Sequence, residues 1–511
     1  WIKFLKKFSM KIINQEEKIK KKISQLKKRN SKIVMCHGVF DVIHYGHILH
    51  FEEAKKMGDK LIISITSDRF VKKGFNRPFF ELNVRMSTIA ALDIVDYVVP
   101  SDYATSIQNI KLIRPDVYCK GPDYTTNKDL TGNLDKELQV LKKNKGKLKF
   151  TNTKQYSSSS IINNISPNLN DSQKKFIKKI KNKYTFSELE NFLNKTKKLK
   201  VNIIGEPIMD QYTMCEPIGI SSKDPFLAFK YIKKNNFAGG SLAIANNISN
   251  YLDKVKVLAM TKKKTNFFRN LKKKIKKNVQ IKLLKDSNYT DVIKNRYLDI
   301  NSKVKLIGIY ELGLKPVEKI NDEKIKKYIL ENKKNNFVIV DYGHGFISEN
   351  IARFISRSKI KYILNAQLNS SNRGHHSLLK FSNPEVIIVN ESELRYEMRD
   401  QNANLNLLIN NLRSKIKAKI IIVTRGKSGA ILSSKKNKYL NCPAFNTKVV
   451  DKVGSGDALL GIFSICKFAN LPDDVSIFFS SLCAAHQVEI INNEKFIKKS
   501  ELLKNIYHLL K

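Results

Sequence analysis

The sequence is poor in features that would cross-link the chain or anchor it in a bilayer. Its six cysteines lie far apart among 511 residues, with no C-x-x-C pair, which argues against a disulfide framework and against a zinc site of closely spaced ligands. The sequence has no run of about 18 apolar residues, so it predicts no membrane-spanning helix. We therefore expect reduced thiols, a cytoplasmic protein and no membrane insertion.

Acidic residues are also scarce, with 46 Asp and Glu against 94 Lys and Arg and a formal net charge of +48. Such an excess could bind nucleic acid, because Lys and Arg neutralise phosphates and release counterions. However, the basic residues run along the whole chain together with many Ile and Asn, as AT-rich coding produces, and no nucleic-acid-binding motif accompanies them. We expect no specific nucleic-acid partner, although a basic field would attract nucleotides and sugar phosphates.

Short apolar runs alternate with helical stretches along most of the chain, which predicts α/β domains with parallel sheets. A chain of 511 residues is also too long for one ordinary domain. Thr185 and Glu188 have the spacing of a capping box, which predicts the start of a helix leading into the second domain. The predicted parts are a basic N-terminal extension (1–30), a first domain (31–165), a linker with a leading helix (166–198) and a second domain (199–511).

The sharpest motif of the first domain is CHGVFDVIHYGHILHF, which occupies residues 36–51. A buried strand is predicted to end at Phe40, and His44 and His47 open the next helix, where N–H groups and a partial positive charge favour phosphate. Nucleotidyl transfer needs charge stabilisation around a crowded α-phosphate, and two histidines three residues apart suit that need. Taken alone, the pair could also be half of a metal site or two ordinary helix histidines.

The pattern G-x-F-D-x-x-H-x-G-H resembles the signature of the cytidylyltransferase-like superfamily over roughly residues 31–165. The resemblance implies a Rossmann-like domain in which His44 and His47 stabilise the transition state as a phosphate attacks a nucleoside triphosphate. For the lysines of the segment 72–78, a solvated charge run is the competing interpretation. Nucleotide and phosphate contacts are implied for Gly38, Phe40, Asp41, Lys120, Asp123, Ser157, Ser158 and Ser159. Contacts to the acceptor phosphate are implied for Lys72, Arg77 and Arg85.

The sharpest motif of the second domain is DKVGSGDALLG at 451–461. Gly454, Ser455 and Gly456 form a small-residue turn before a helix, so backbone N–H groups and the helix dipole can hold an anion there. Asp457 beside such a turn could take the proton from a sugar hydroxyl during phosphoryl transfer. The competing interpretation is a glycine-rich helix start with Asp457 as its N-cap.

This motif resembles the closing signature of the ribokinase/PfkB carbohydrate kinases, and further segments match in the same order over about residues 199–490. The resemblance implies a ribokinase-like fold, ATP as phosphoryl donor, Asp457 as base and Gly454, Ser455 and Gly456 around the transferred group. It also implies that Glu393 organises Mg²⁺ indirectly. Sugar contacts are implied for Asp210, Gly239, Gly240, Lys294 and Arg296. Phosphate or nucleotide contacts are implied for Asn390, Glu393, Thr424 and Gly426.

The pairing of the two domains resembles the bifunctional heptose 7-phosphate kinase/heptose 1-phosphate adenylyltransferase family, with the domains in reversed order. That resemblance implies a kinase for a heptose-like sugar phosphate, nucleotidyl transfer from ATP or CTP to a sugar 1-phosphate, Mg²⁺ in both reactions and an activated sugar for surface polysaccharide. It also allows a homodimer. Ala243 stands where the family's sugar motif has Asn, and the loss of a polar partner changes the specificity of a hydroxyl-binding site.

Two other interpretations stay open at this point. The first is a cytidylyltransferase for a polyol or amino-alcohol phosphate whose kinase domain is degenerate. The change at Ala243 motivates it, together with Lys452 and Val453, which replace a Thr-containing pair of the family's motif. The second is a basic RNA- or membrane-associated protein that uses a nucleotide-binding scaffold. Absence of sugar-dependent ATP turnover would favour the first, and salt-sensitive polynucleotide binding without turnover would favour the second.

Overall fold

A computed structural model describes residues 10–71, 77–121, 134–152, 169–263, 265–313, 319–368, 372, 376–445 and 449–510. The chain divides into two compact units, one formed by Trp1–Asn170 with Leu503–Lys511 and the other by Asp171–Leu502. Each unit is an α/β structure, as predicted, and each is described by itself. None of the helices in the described ranges combines the length and the hydropathy that a bilayer crossing requires.

The described part of the first unit contains a parallel sheet of five strands in the order β3-β2-β1-β4-β5. The strands are β1 (Ile33–Gly38), β2 (Lys60–Thr66), β3 (Tyr97–Ser101), β4 (Val117–Lys120) and β5 (Lys147–Phe150). The helices are α1 (Glu16–Lys28), α2 (Tyr45–Lys55), α3 (Leu82–Ala90), α4 (Ile107–Ile113) and α5 (Leu134–Lys143).

Strand β1 lies in the middle of this sheet because both of its faces are apolar. Val34 and Cys36 pack into one core cluster, and Ile33 and Met35 pack into the cluster on the opposite face, as expected for a parallel strand covered on both sides. The strand order reverses beside β1, between β2 and β4. In open parallel sheets, ligands bind outside the carboxyl ends of strands at such a point, so the loop that follows Gly38 occupies the expected ligand crevice.

The basic N-terminal extension contributes a packed helix to the first unit. Helix α1 buries Ile19, Ile23 and Leu26, which belong to the same core cluster as Ile33 and Met35. These three residues have the i, i+4, i+7 spacing of one helical face. The lysines between them occupy the solvent side, so the extension is part of the core on one face and solvated on the other.

The strands and helices of the second unit continue the numbering. Its strands are β6 (Val201–Gly205), β7 (Pro207–Ile220), β8 (Leu227–Gly240), β9 (Val255–Lys262), β10 (Val279–Asp286), β11 (Val292–Asp299), β12 (Lys305–Glu311), β13 (Asn336–Asp341), β14 (Lys361–Ala366), β15 (Val386–Asn390), β16 (Ile420–Thr424), β17 (Ala430–Ser434) and β18 (Leu440–Cys442). Its helices are α6 (Asp171–Lys183), α7 (Phe186–Lys195), α8 (Ser241–Ile248), α9 (Phe267–Leu271), α10 (Lys319–Glu331), α11 (Glu349–Arg357), α12 (Glu391–Met398), α13 (Leu405–Ile416), α14 (Ser455–Phe468), α15 (Asp473–Val488) and α16 (Lys499–Leu510), the last of which continues into the first unit.

Two sheets organise the described part of the second unit. The larger has nine strands in the order β10-β9-β6-β13-β14-β15-β16-β17-β18, parallel from β10 to β16 and antiparallel in the last two pairings. The smaller has four strands in the order β12-β11-β7-β8, with only β11 and β7 parallel. Strand β7 follows β6 after a single residue, so the smaller sheet begins at the carboxyl end of a central strand of the larger one.

The segment predicted as a linker is helical and packed from residue 171 onward. Helix α6 places the Phe176 ring 6.4 Å from that of Phe445 and 6.1 Å from that of Phe478. The reciprocal capping box of Thr185 and Glu188 is present at the start of α7, which confirms the predicted helix start. The lysines of α6 conceal an apolar stripe on one face, which buries Phe176, Ile177 and Ile180.

Candidate active sites

The turn before α14 has the backbone that an anion site needs. Gly454 caps the helix with φ +86°, and a Cβ there would lie 2.2 Å from Asn493 Oδ1. Gly456 has open space where its side chain would be, so an anion can approach the backbone. Asp451 fixes the turn by accepting hydrogen bonds from Val453 N (3.1 Å) and Tyr212 Oη (2.6 Å). The turn is therefore built before any phosphate arrives.

Asp457 lies in the first turn of α14 rather than at its N-cap, which is Gly454. Its Oδ1 accepts a hydrogen bond of 3.0 Å from the Tyr342 hydroxyl. Burial raises the pKa of Asp457 to about 7; the Tyr342 bond opposes this shift, the charge of Asp210 adds to it and that of Lys294 opposes it. A carboxyl group with a pKa near neutrality can accept a proton during catalysis and release it afterwards.

The predicted sugar-contacting residues surround Asp210 on β7. Arg296 on β11 donates from Nη1 to Asp210 Oδ1 over 2.6 Å, and Lys294 stands opposite Asp210 in the parallel register. A Cβ on Gly239 would lie 2.1 Å from Asp210 Oδ2, and one on Gly240, whose φ is +59°, would lie 2.5 Å from a backbone oxygen. Gly239 is therefore required for the chain to pass this close to the carboxylate, and Gly240 for its approach to the backbone oxygen of Glu206. Burial lowers the pKa of Lys294.

A cavity of about 580 Å³ is lined both by the turn at Gly454, Ser455 and Gly456, which we name the anion turn, and by Asp210 with its neighbours on β11. This volume falls within the usual range for small-molecule sites. Gly239 and Glu393 are not among its lining residues; Glu393 borders a neighbouring pocket together with Asn390 and Thr424. The predicted residues that line the cavity are Asp210, Gly240, Lys294, Arg296, Asn390, Thr424, Gly426, Gly454, Ser455, Gly456 and Asp457.

Asn390 and Glu393 form a reciprocal capping box at the start of α12. Glu393 N donates to Asn390 Oδ1, and Asn390 N donates to Glu393 Oε2, each over 2.8 Å. Burial raises the pKa of Glu393 to about 7. Mg²⁺ keeps several waters and needs few protein ligands, so a carboxyl group held this way fits contact with Mg²⁺ through water better than direct ligation. The element thus orders the helix start and borders the phosphate side of the cavity.

The sequence did not single out two groups that organise this site. Tyr342 bonds Asp457, and Glu206 accepts hydrogen bonds from Tyr342 N (3.0 Å) and His344 N (3.2 Å). Burial, together with the charge of Asp341, raises the pKa of Glu206 to about 7. Both residues follow the carboxyl ends of adjacent strands, β13 and β6, and that position was the one signal in the sequence that could have identified them.

In the first unit, the two histidines of the motif lie face to face. His44 is the extended N-cap residue of α2, and its ring stacks on that of His47 with centroids 3.9 Å apart. His44 N donates a hydrogen bond to His47 Nδ1 over 3.4 Å. Phe40, with φ +48°, sets its ring edge-on to His47 at 5.5 Å. A Cβ on Gly38 would lie 2.9 Å from the Phe40 ring, so glycine is required for this arrangement.

Asp41 holds the loop that carries one predicted phosphate ligand. Its Oδ1 accepts from Phe79 N (2.7 Å) and Phe80 N (3.0 Å), and its Oδ2 accepts from Arg77 Nη1 (3.2 Å). Both side chains of the Arg77–Asp41 pair are buried, and burial lowers the pKa of Arg77. Asp41 therefore acts on this loop, and Arg77 reaches a phosphate only by exchanging this partner.

Arg85 was expected to assist at the acceptor phosphate, and its surroundings do not support a direct contact. The residue is 1% exposed. Its guanidinium donates to the backbone oxygens of Phe80, Val39 and Thr66 and to Asp68 Oδ1 at 2.5 to 2.9 Å. We therefore interpret Arg85 as a positioning residue that ties together the segments following β1 and β2.

Among the remaining predicted residues of the first unit, Lys120 lies within the described ranges and the others lie outside them. Lys120, at the end of β4, forms a buried ion pair of 2.6 Å with Glu137, so its charge is balanced within the protein. The predicted residues outside the described ranges are Lys72, Asp123, Ser157, Ser158 and Ser159.

Two family models match the chain, one in each unit. Residues 35–164 match the cytidylyltransferase-like family, and residues 348–492 match the pfkB family of carbohydrate kinases. The second match contains the anion turn and Asp457 but begins after Asp210, Gly239 and Lys294. The side of the cavity that carries Asp210 and Arg296 is therefore formed by residues outside the matched segment.

Comparison with whole proteins finds relatives that match part of the chain. The chain is 38% identical to the bifunctional protein HldE of Campylobacter fetus over 136 residues, 26% of the chain and 29% of that protein. It is 37% identical to HldE of Pectobacterium carotovorum over 160 residues, 31% of the chain and 32% of that protein. These matches span less than a third of the length of either relative.

The solved structure of phosphofructokinase-2 from Escherichia coli, in complex with substrates and products, superposes with a TM-score of 0.50 at 15% identity. It covers 61% of this chain and 100% of that one. At this identity the likeness concerns the fold alone. Together with the family models, it confirms the predicted fold class: a Rossmann-like nucleotidyltransferase domain followed by a ribokinase-like domain.

Proposed function

We propose that the chain is a bifunctional enzyme, a carbohydrate kinase and a nucleotidyltransferase, that makes a nucleotide-activated sugar. The observation that carries the proposal is the single cavity in which Asp457 stands beside the anion turn and across from the Asp210–Arg296 pair. Groups that orient a sugar, a general base and a phosphate site are the three elements of a sugar kinase site. Their presence together speaks against a degenerate kinase domain.

In the kinase reaction, Asp457 takes the proton from the acceptor hydroxyl as its oxygen attacks the γ-phosphorus of ATP. The bond from that phosphorus to the bridging oxygen breaks, and ADP leaves. Backbone N–H groups of Gly454, Ser455 and Gly456 balance the charge on the transferred group. Glu393 would hold Mg²⁺ through water, and the ion would neutralise charge on the phosphates. Asp210 and Arg296 orient the sugar, and the cation of Lys294 suits an acceptor that already bears a phosphate.

In the transferase reaction, a sugar 1-phosphate attacks the α-phosphorus of a nucleoside triphosphate, and pyrophosphate leaves. The stacked pair of His44 and His47 at the start of α2 donates hydrogen bonds to the phosphates, and the positive end of the helix dipole adds to the attraction. The proposal further assigns acceptor-phosphate contacts to Lys72 and Arg77, and triphosphate contacts to the remaining predicted residues, Lys120, Asp123, Ser157, Ser158 and Ser159. ATP and CTP are both candidates as donor.

A heptose phosphate is the proposed sugar, on the resemblance to the heptose kinase/adenylyltransferase family and the similarity to HldE. In this chain the transferase segment precedes the kinase segment, which is the reverse of the order in the family that it resembles. Ala243, in place of the family's Asn, lies fully buried in α8. We therefore propose that a related phosphorylated sugar competes with heptose, since the substitution removes an amide from this region.

A homodimer and a cytoplasmic location belong to the same proposal. Strand β12 is exposed along its whole length, with Ile307 and Ile309 at 57% and 55% exposure, and apolar sheet surfaces of this kind favour association. All six cysteines are free and buried, which suits a reducing compartment. Sedimentation should give a dimer that the Ile307→Glu/Ile309→Glu variant converts to monomer; a monomeric parent protein would refute the dimer.

Substrate panels test the two activities. Pyrophosphate release should occur with heptose 1-phosphate and either ATP or CTP, and ADP release should depend on heptose 7-phosphate. Release only with CTP and a non-sugar phosphate, without sugar-dependent ADP formation, would favour the cytidylyltransferase with a degenerate kinase. Silence of both assays across sugars and polyol phosphates, at nucleotide concentrations that saturate the protein, would contradict the enzyme assignment.

A further inference from the structure

Three side chains with soft donor atoms converge in the core of the first unit. Cys36 on β1 and Cys119 on β4 are direct partners in the parallel register, and His50 projects from α2. Their ligand atoms all lie within 4.8 Å of one another. Cys36 is 0% exposed, Cys119 is 1% exposed and His50 is 9% exposed. Because they are far apart in the sequence, spacing rules for metal ligands do not detect them.

The imidazole of the cluster is already oriented by a second group. His50 Nδ1 and Thr151 Oγ1 are 2.8 Å apart. With the proton on Nδ1 donated to the hydroxyl, Nε2 keeps a lone pair for a ligand. Histidines that bind metals usually hydrogen-bond their other ring nitrogen in this way.

Two buried thiols could simply be small apolar side chains in a core. The third donor and the charge balance favour a metal instead. Zn²⁺ displaces two protons, and two thiolates with a neutral imidazole then give a site of zero net charge. Thiolate and imidazole are the ligands that Zn²⁺ prefers.

We propose that Cys36, His50 and Cys119 bind one Zn²⁺ ion, with water in the fourth tetrahedral position. The ion joins β1, β4 and α2. Cys36 lies two residues before Gly38, and His50 lies three residues after His47, so the ion fixes the two elements between which the predicted nucleotide loop runs. The site is independent of the activities proposed above, and it stabilises the first unit whether or not that unit turns over nucleotide.

Metal content of the full-length, reduced protein tests this proposal. After equilibration with Zn²⁺ and removal of weakly held ions, wild type should retain about one Zn²⁺ per chain, and the Cys36→Ala/Cys119→Ala variant should retain none at this site. Thr151→Val, which keeps all three ligands, should weaken Zn²⁺ binding about 10- to 100-fold in competition with a chromophoric chelator. Cys215→Ala, a matched change of a buried cysteine in the second unit, should leave the affinity unchanged.

Co²⁺ provides a readout that depends on the ligand atoms. Wild type loaded with Co²⁺ should show thiolate-to-metal charge-transfer absorption, which His50→Gln diminishes and the double cysteine variant abolishes. Circular dichroism and a cooperative thermal unfolding transition verify that each variant is folded. Equal metal uptake by wild type and the double variant, or no uptake by wild type, would overturn the proposal. If the double variant does not fold, unchanged affinity in both His50→Gln and Thr151→Val has the same consequence.

Discussion

Replacing Tyr342 with Phe removes one hydroxyl, which donates to Asp457 Oδ1 over 3.0 Å. A hydrogen bond to a charged group contributes about 1.5–3 kcal/mol, and one pKa unit corresponds to about 1.4 kcal/mol. Loss of the bond should therefore raise the pKa of Asp457 by about 1–2 units. The starting value is already raised to about 7 by burial, and Tyr342 is one of the groups that keep it from rising further.

Only the deprotonated carboxylate can accept the proton of the sugar hydroxyl, so kinase activity should increase with pH through the pKa of Asp457. In wild type, the ascending limb of kcat/KM for ADP release should have its midpoint at about pH 7. In Tyr342→Phe this limb should move about 1–2 units to higher pH. Activity at pH 6 should fall about 10- to 100-fold and recover well above the new midpoint.

Tyr328→Phe is the matched control, because its buried hydroxyl bonds Asn202 over 2.8 Å and does not border the cavity. The Tyr342 substitution also leaves the backbone bond from Tyr342 N to Glu206 in place, which separates Asp457 from the second carboxyl group that titrates near neutrality. A pH profile of Tyr342→Phe that superposes on that of wild type would refute Asp457 as the titrating base.

Three further outcomes follow from the geometry. Gly454→Ala should abolish ADP release at unchanged pyrophosphate release, since φ +86° and the 2.2 Å approach of Asn493 Oδ1 exclude a Cβ; full kinase activity would contradict the anion turn. Thr185→Ala should lower the free energy of unfolding by about 1 kcal/mol, because it removes the capping box of α7; thermal unfolding measures this, and an unchanged midpoint would show that the cap is dispensable. Arg85→Lys should lower kcat/KM for pyrophosphate release with a parallel loss of stability, whereas a pure rise in KM for the sugar 1-phosphate would restore a direct contact.

Much of both sites could be predicted because the chemistry is carried by contiguous residues. The anion turn before Asp457 and the His44-x-x-His47 pair are each local, and the backbone that they need follows from the order of glycines and helix-starting residues. The same holds for Gly239 and Gly240. A Cβ on Gly239 would lie 2.1 Å from Asp210 Oδ2, and this closeness follows from the pairing of β7 with β8, which a local pattern does not reveal.

The features that the sequence did not reveal depend on residues that are distant in the chain or on burial. Tyr342 reaches Asp457 across 115 positions, and no spacing rule connects them. Arg85 is of a residue type that often binds phosphate, but its environment is structural, because its N–H groups donate to backbone oxygens. In α1 and α6, frequent lysines concealed apolar stripes that bury one helix face. Net charge thus described the surface of these helices and not their packing.

The central claim is that one chain carries two separate reactions at two separate sites. It is tested most directly by measuring sugar-dependent ADP release and pyrophosphate release on wild type, Asp457→Asn and His47→Ala side by side. We predict that Asp457→Asn loses ADP release and keeps pyrophosphate release, and that His47→Ala shows the reverse. Loss of both reactions in either folded variant, or of neither in both, would contradict the account.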